Sequence, residues 1–236
     1  MKIFKQYFIG ASLLAALASC GELDNYDAPS KKLTGRIVYN GQAINVEKGQ
    51  VRLQLWEDGW KTKAPINVAI EPDGSFSALL FNGDYKVVIP QNDGPFMKLT
   101  NDVTQSDTIA LTLRGSTEMD IEVRPYYIPH SATFSTASSK ISVNFSIDKV
   151  ITDANAKDIE YAALYINKTR FVSKGVKLAG GEATISGGSI ADLDDVNLEV
   201  NIPNIVPAQQ YVYAIVAVKV AGVEDLIYTP VQKIEF

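Results

Sequence analysis

The sequence predicts an all-β protein: two antiparallel β-sandwich domains in tandem after a lipoprotein signal peptide. Three observations carry this. Short runs in which apolar and polar residues alternate recur along most of the 236 residues, the period of a half-buried strand and not of a helix. Asn40-Gly41, Asp58-Gly59, Asp73-Gly74 and Asn82-Gly83 punctuate these runs, and such pairs accept the backbone angles of tight hairpins. The first twenty residues stand apart, with a basic start and a charge-free apolar run that ends at a cysteine.

Taken in order, residues 1–19 read as the signal peptide. Lys2 and Lys5 precede an apolar stretch from Phe8 to Ala18, too short to span a bilayer. Leu17-Ala18-Ser19-Cys20 resembles the bacterial lipobox, in which the chain is cut before the cysteine and the cysteine is acylated. Cys20 is then the lipidation site and the membrane a partner, because several acyl chains anchor a protein stably. Residues 20–30 read as the acylated cysteine and an acidic tether. Glu22, Asp24 and Asp27 just behind Cys20 resemble the surface-export signal of Bacteroidota lipoproteins, which implies an outer-membrane protein facing the exterior. A merely solvated tether would carry the same residues.

Residues 31–125 form the first sandwich. Leu33, Ile37 and Tyr39 share one face of a strand, and Val51, Leu53 and Leu55 alternate with Arg52, Gln54 and Trp56. Further strands carry Ile66, Val68 and Ile70, then Phe76, Ala78 and Leu80, then Tyr85, Val87 and Ile89. Ile109, Leu111 and Leu113, and then Met119, Ile121 and Val123, complete about seven strands. Thr34-Gly35-Arg36-Ile37-Val38, Val51-Arg52-Leu53, Pro72-Asp73-Gly74-Ser75-Phe76 and Asn82-Gly83-Asp84-Tyr85-Lys86-Val87 resemble, in this order, the carboxypeptidase regulatory and transthyretin-like sandwich. That resemblance implies a structural module and no catalytic residue.

Arg124-Pro125-Tyr126-Tyr127-Ile128-Pro129 interrupts the pattern, since the residue before each proline is held extended, and it marks the domain joint. The second sandwich covers residues 126–236. Its strands include Ile141 to Ile147, Ile159 to Ile166, Val196 to Ile202 and the nearly unbroken apolar run Tyr211 to Val220. Ile205-Val206-Pro207-Ala208-Gln209-Gln210-Tyr211 resembles the approach to the tyrosine corner of fibronectin type III domains, with Ala208 in place of the usual glycine. Lipobox, regulatory-type sandwich and immunoglobulin-like sandwich together resemble one Bacteroidota lipoprotein family, catalogued as domain of unknown function 3823. The resemblance implies an outer-membrane lipoprotein associated with polysaccharide-uptake systems.

Composition narrows the chemistry. One cysteine allows no internal disulfide and no cysteine-based zinc site, and one histidine leaves His130 as the only route to a serine triad. His130 is followed by Ser131, but neighbours on a strand point to opposite faces, so a linker histidine is expected. With 22 basic and 27 acidic residues, nucleic acid is not expected as a partner. Without residues 1–19, which hold Lys2 and Lys5 and no acid, 20 bases face 27 acids, a net charge of −7. The acid clusters Asp192-Leu193-Asp194-Asp195 and Asp153 to Asp158 fall between strands, where carboxylates cap turns. No metal, no cofactor and no enzymatic activity are expected.

Aromatic residues are the better candidates. Trp56 falls on the strand face opposite Leu53 and Leu55, so its indole is expected to point away from the core. Trp56 and Trp60 flank Glu57-Asp58-Gly59, a combination suited either to stacking on a sugar ring or to packing on the neighbouring domain. Tyr126 and Tyr127 at the joint carry the same two readings. Asp107-Thr108-Ile109 resembles the O-glycosylation signal of Bacteroidota secreted proteins and marks Thr108 as a modification site. The functional expectation is an accessory protein of glycan uptake that binds carbohydrate or docks to outer-membrane uptake proteins. The alternatives are a structural spacer or adhesin module, and, third, a hydrolase using paired carboxylates.

Overall fold

The computed structural model describes residues 27–59 and 62–236, and the alternating runs of the sequence fall on strands or at strand ends. The first sandwich is built from β1 (Lys31–Tyr39), β2 (Gln42–Ala43), β3 (Arg52–Glu57), β4 (Ile66–Ala69), β5 (Ser75–Leu80), β6 (Gly83–Val88), β7 (Phe96–Lys98), β8 (Ile109–Leu113), β9 (Thr117–Glu118) and β10 (Ile121–Pro125). One sheet runs β4-β3-β6-β8 and is antiparallel throughout. The other is organised around β1, which pairs with β5 and β9 along its first half and with β2 and β10 along its second. β7 extends this sheet beyond β10.

β9 and β10 run parallel to β1, a departure from the expected antiparallel pairing. The physical reason is the crossover after β8: the chain leaves one sheet and enters the other at the end where β1 begins. Leu33, Ile37, Leu53, Leu55, Val87 and Leu113 are fully buried between the sheets, and the residues that alternate with them face outward. Gly35 permits the tight packing of β1, since a Cβ there would lie 1.9 Å from the Met119 carbonyl oxygen.

The second sandwich contains β11 (Tyr127–Ala137), β12 (Lys140–Lys149), β13 (Ile159–Asn167), β14 (Glu182–Ser186), β15 (Val196–Asn201), β16 (Tyr211–Val220), β17 (Leu226–Tyr228) and β18 (Gln232–Glu235). Its sheets are β11-β12-β15 and β14-β13-β16, with β17 and β18 both paired to β16. Among the described residues the single helical segment is the 3-10 turn Gly187–Ser189. One face of β13 and β16 packs against Ile141, Phe145 and Ile147 in the sandwich core. The other face forms a second cluster, in which Tyr165, Ile215 and Ala217 meet Val172, Leu226 and Tyr228. Burial on both faces accounts for the unbroken apolar run of β16. Tyr211 makes no tyrosine corner among the described residues: its ring stands edge-on to Tyr213 at 5.9 Å, with the Lys233 ammonium 4.4 Å from its centre.

The two sandwiches form one compact unit, Lys31–Phe236, whose buried cluster is continuous from one to the other. Glu47, in the loop after β2, reaches across the joint. Its Oε1 accepts hydrogen bonds from Ser173 Oγ at 2.7 Å and the Gly175 amide at 3.2 Å, and its Oε2 accepts from the Tyr228 hydroxyl at 2.8 Å. The Tyr228 amide donates back to the Asn45 carbonyl at 3.2 Å, a lone β-bridge between the sandwiches. Burial raises the pKa of the Tyr228 hydroxyl far above its ordinary value, with the Glu47 charge adding to the effect, so this hydroxyl stays a donor. Replacing Glu47 with alanine takes the acceptor from the hydroxyl of Tyr228, a residue 3% exposed, and from the hydroxyl of buried Ser173. Glu47→Ala is expected to cost about 3 kcal/mol of stability, read as a lowered urea midpoint.

Candidate functional site

Of the residues singled out for function, Trp56 is the one placed as its spacing predicts. Leu53 and Leu55 are wholly buried, whereas Trp56 is half-buried on the outer face of the four-stranded sheet. It pairs across with Lys86 of β6, two residues along from Gln54, which pairs with Asn67 of β4. The face around the indole is polar and its charges are held. The Gln54 amide donates to Asn67 at 3.4 Å, the Lys86 ammonium to Asp58 at 2.7 Å, and Asp84 takes Thr112 at 2.8 Å and Arg114 at 3.0 Å. Lys86 holds the Asp58 carboxyl below the usual range, and Thr112 with Arg114 does the same for Asp84. One indole amid fixed donors and acceptors suits a ligand with an apolar ring face and hydroxyl edges.

The joint tyrosines separate. Tyr127 is 3% exposed, and its hydroxyl donates to the Lys157 carbonyl at 2.8 Å. Of the two readings open to it, sugar stacking or packing at the joint, Tyr127 takes the second: alternation turns it inward, while Tyr126 just before β11 stays half-buried. Tyr126 is half-buried and lines a cleft of about 430 Å³ between the sandwiches, together with Asn92, Asp93, Lys98, Lys157 and Glu224. The Lys157 ammonium lies 5.9 Å from its ring centre. Beside this cleft, Asp225 is 6% exposed and its Oδ2 accepts the Gly94 amide at 2.7 Å, while Asp93 Oδ2 lies 3.3 Å from Arg52 Nε. Burial pushes both carboxyls above their ordinary range, and Asp93 adds to the rise at Asp225. Sequence reasoning missed these acids because their partners lie far along the chain and nothing in their local spacing marks them.

Cys20 and Trp60 lie outside the described residues. Thr108 is exposed just before β8, next to Asp107, which pairs with Lys98. His130 and Ser131 depart from expectation. A bulge in β11 puts Ser131 at φ 54°, which brings its Oγ to 2.9 Å from His130 Nδ1 rather than to the opposite face. Asp148 Oδ1 lies 3.3 Å from His130 Nε2, so an acid is at hand after all. The group lies on the outermost strand of its sheet, and the Asp148 side chain is 66% exposed, so water screens the pair and no wall encloses an acyl group. Asp153 and Asp192 serve their own loops, accepting from the amides of Asn155 and Asp194.

Two family models match in succession. The first, described as the N-terminal domain of a protein of unknown function (DUF3823), covers residues 31–124, and the second, the domain of unknown function DUF3823_C, covers residues 127–233. A DUF3823 family protein from Bacteroides ovatus is 32% identical with a TM-score of 0.75, over 87% of this chain and 99% of its own. One from Parabacteroides merdae is 31% identical with a TM-score of 0.75, over 89% of this chain and 100% of its own. A structure from Bacteroides uniformis, called a "putative carbohydrate binding protein", shares the fold at 17% identity and a TM-score of 0.69, over 88% of this chain and 100% of its own. No curated protein matches the chain.

The raised carboxyls at the joint carry a pH dependence of fixed sign. A carboxyl raised by burial stabilises the fold when protonated, and that contribution is lost as pH climbs above the ordinary 3.8 through the higher folded value. Asp225→Asn keeps an oxygen for the Gly94 amide without a charge. The variant is expected to match or exceed the parent in stability at neutral pH, with the advantage shrinking toward pH 3.8 in urea melts across this range.

Proposed function

The chain belongs to the DUF3823 family, and on that premise we propose that it is an outer-membrane lipoprotein, anchored through acylated Cys20 and facing the exterior, that binds polysaccharide without catalysing its breakdown. The observation that carries this reading is Trp56, an indole displayed outward from a sheet whose neighbouring side chains are held in place by each other. A sugar ring stacks its C–H face on such an indole while its hydroxyls meet Gln54, Asn67 and Lys86. Because those groups are already ordered, little conformational entropy is lost on binding. The lipobox-like Leu17-Ala18-Ser19-Cys20 and the acids behind it support the anchor and its outward face. The name borne by the Bacteroides uniformis structure of the same fold supports the ligand class. Within a glycan-uptake system, such a protein hands polymer to, or docks beside, the outer-membrane uptake proteins. Thr108, exposed behind Asp107, is the proposed O-glycosylation site.

Affinity electrophoresis of the chain from residue 21 through gels containing xylan, mannan, starch, dextran or galactan tests the reading. Retardation by at least one polymer is expected, with Trp56→Ala weakening it about tenfold. Unaltered mobility in all five gels overturns carbohydrate binding in favour of a spacer or adhesin module.

A further inference from the structure

A second concave surface lies at the joint, at the other end of β17 from the Tyr126 cleft. It is a groove of about 660 Å³ whose floor is the Glu47 and Tyr228 contact. One wall is the turn after β4, where Asp73 Oδ1 accepts from the Ser75 amide and hydroxyl and Glu71 lies 3.4 Å from the Lys48 ammonium. The facing wall is the loop after β13, which carries Arg170, Phe171 and Val176. Phe171 is 59% exposed, an unusual position for a ring whose neighbours Val172 and Ser173 are buried. Arg170 has no hydrogen bond or ion pair among the described residues; the Ser75 hydroxyl above all, and the Arg170 charge least, hold Asp73 below the ordinary carboxylate range.

An aromatic face, a guanidinium without a partner and a fixed carboxylate thus converge on a space of ligand size. Donors on one wall face acceptors on the other, as a ligand with hydroxyl groups on both edges requires. The facing walls, residues 71–74 and 168–176, are loops and not strands, which disfavours a peptide adding as a strand. We propose that this groove is a binding site for a neutral oligosaccharide, with Phe171 stacking on a pyranose ring, Arg170 donating to its hydroxyls and Asp73 accepting from them. The proposal rests on the carbohydrate-binding reading and adds a site separate from Trp56.

The test uses the compact unit 31–236, which among the described residues holds both buried cores complete. It is titrated with xylohexaose, mannohexaose, cellohexaose and maltohexaose, followed by amide chemical shifts and calorimetry, with trigalacturonate as a charged control. The expected result is a shift at residues 71–75 and 170–176 with at least one neutral hexaose, whether or not β3 and β6 shift as well. Phe171→Ala and Arg170→Ala, both surface changes that leave the core intact, then weaken the groove shifts about tenfold each. Shifts confined to β3 and β6, abolished by Trp56→Ala and indifferent to Phe171→Ala, overturn the groove and leave the proposed function standing. Binding at the groove by trigalacturonate alone overturns the neutral ligand class. Silence toward every oligosaccharide, with no polymer retarding the chain, overturns groove and function together.

Discussion

The arrangement of the two sandwiches depends on one carboxylate. Glu47 leaves the first sandwich from a loop and satisfies three donors of the second, among them a tyrosine hydroxyl buried under β17. A half-buried acid with three hydrogen bonds exchanges its hydration for a fixed geometry, and the geometry it fixes is the angle between domains. Asp225 fixes the other flank by taking the Gly94 amide, and the Arg124 guanidinium closes on Asp153 at 2.8 Å beside the chain crossing. Two sandwiches joined only through Pro125 and Tyr126 would pivot. These contacts make them one body, and the cleft and groove at the joint take their shape from that.

Much of this architecture is legible in the sequence because strand alternation is a local property. Leu53 and Leu55 against Trp56 is a pattern of four residues, and it places the indole correctly without knowledge of any other strand. The features that were not legible are those set by residues distant in sequence. Nothing near Thr117 or Ile121 announces that they lie parallel to β1, because that follows from the crossover after β8. Glu47 looks like any loop acid until Ser173 and Tyr228 arrive beside it. Ser131 shows the local rule failing at a single residue: one bulge, at a backbone angle few serines adopt, turns its hydroxyl toward His130. Tyr126 and Tyr127 are chemically alike, and only register decides which of them water reaches.

The polar surface of the first sandwich shows how a chain rich in acids keeps a flat sheet face ordered. Asp58 and Asp84 each take a cation supplied by a neighbouring strand or turn, at 2.7 and 3.0 Å. Pairs so exposed add little to stability. Their effect is on the side chains themselves, whose positions are set before any ligand arrives. An aromatic residue set among them does not have to reorganise its surroundings to be used.

The placement of β1 determines how the fold responds to force. Chain that precedes Lys31 enters directly into the strand at the centre of its sheet, flanked along the first half by β5 and β9. A pull on the N-terminus is directed along β1, while the hydrogen bonds that hold it to β5 lie across that direction. The ladder from Lys31–Leu80 to Arg36–Ser75 is therefore loaded in shear, with every rung sharing the tension, and cannot peel open one bond at a time. A load applied to the chain at Lys31 is therefore borne by six paired residues at once.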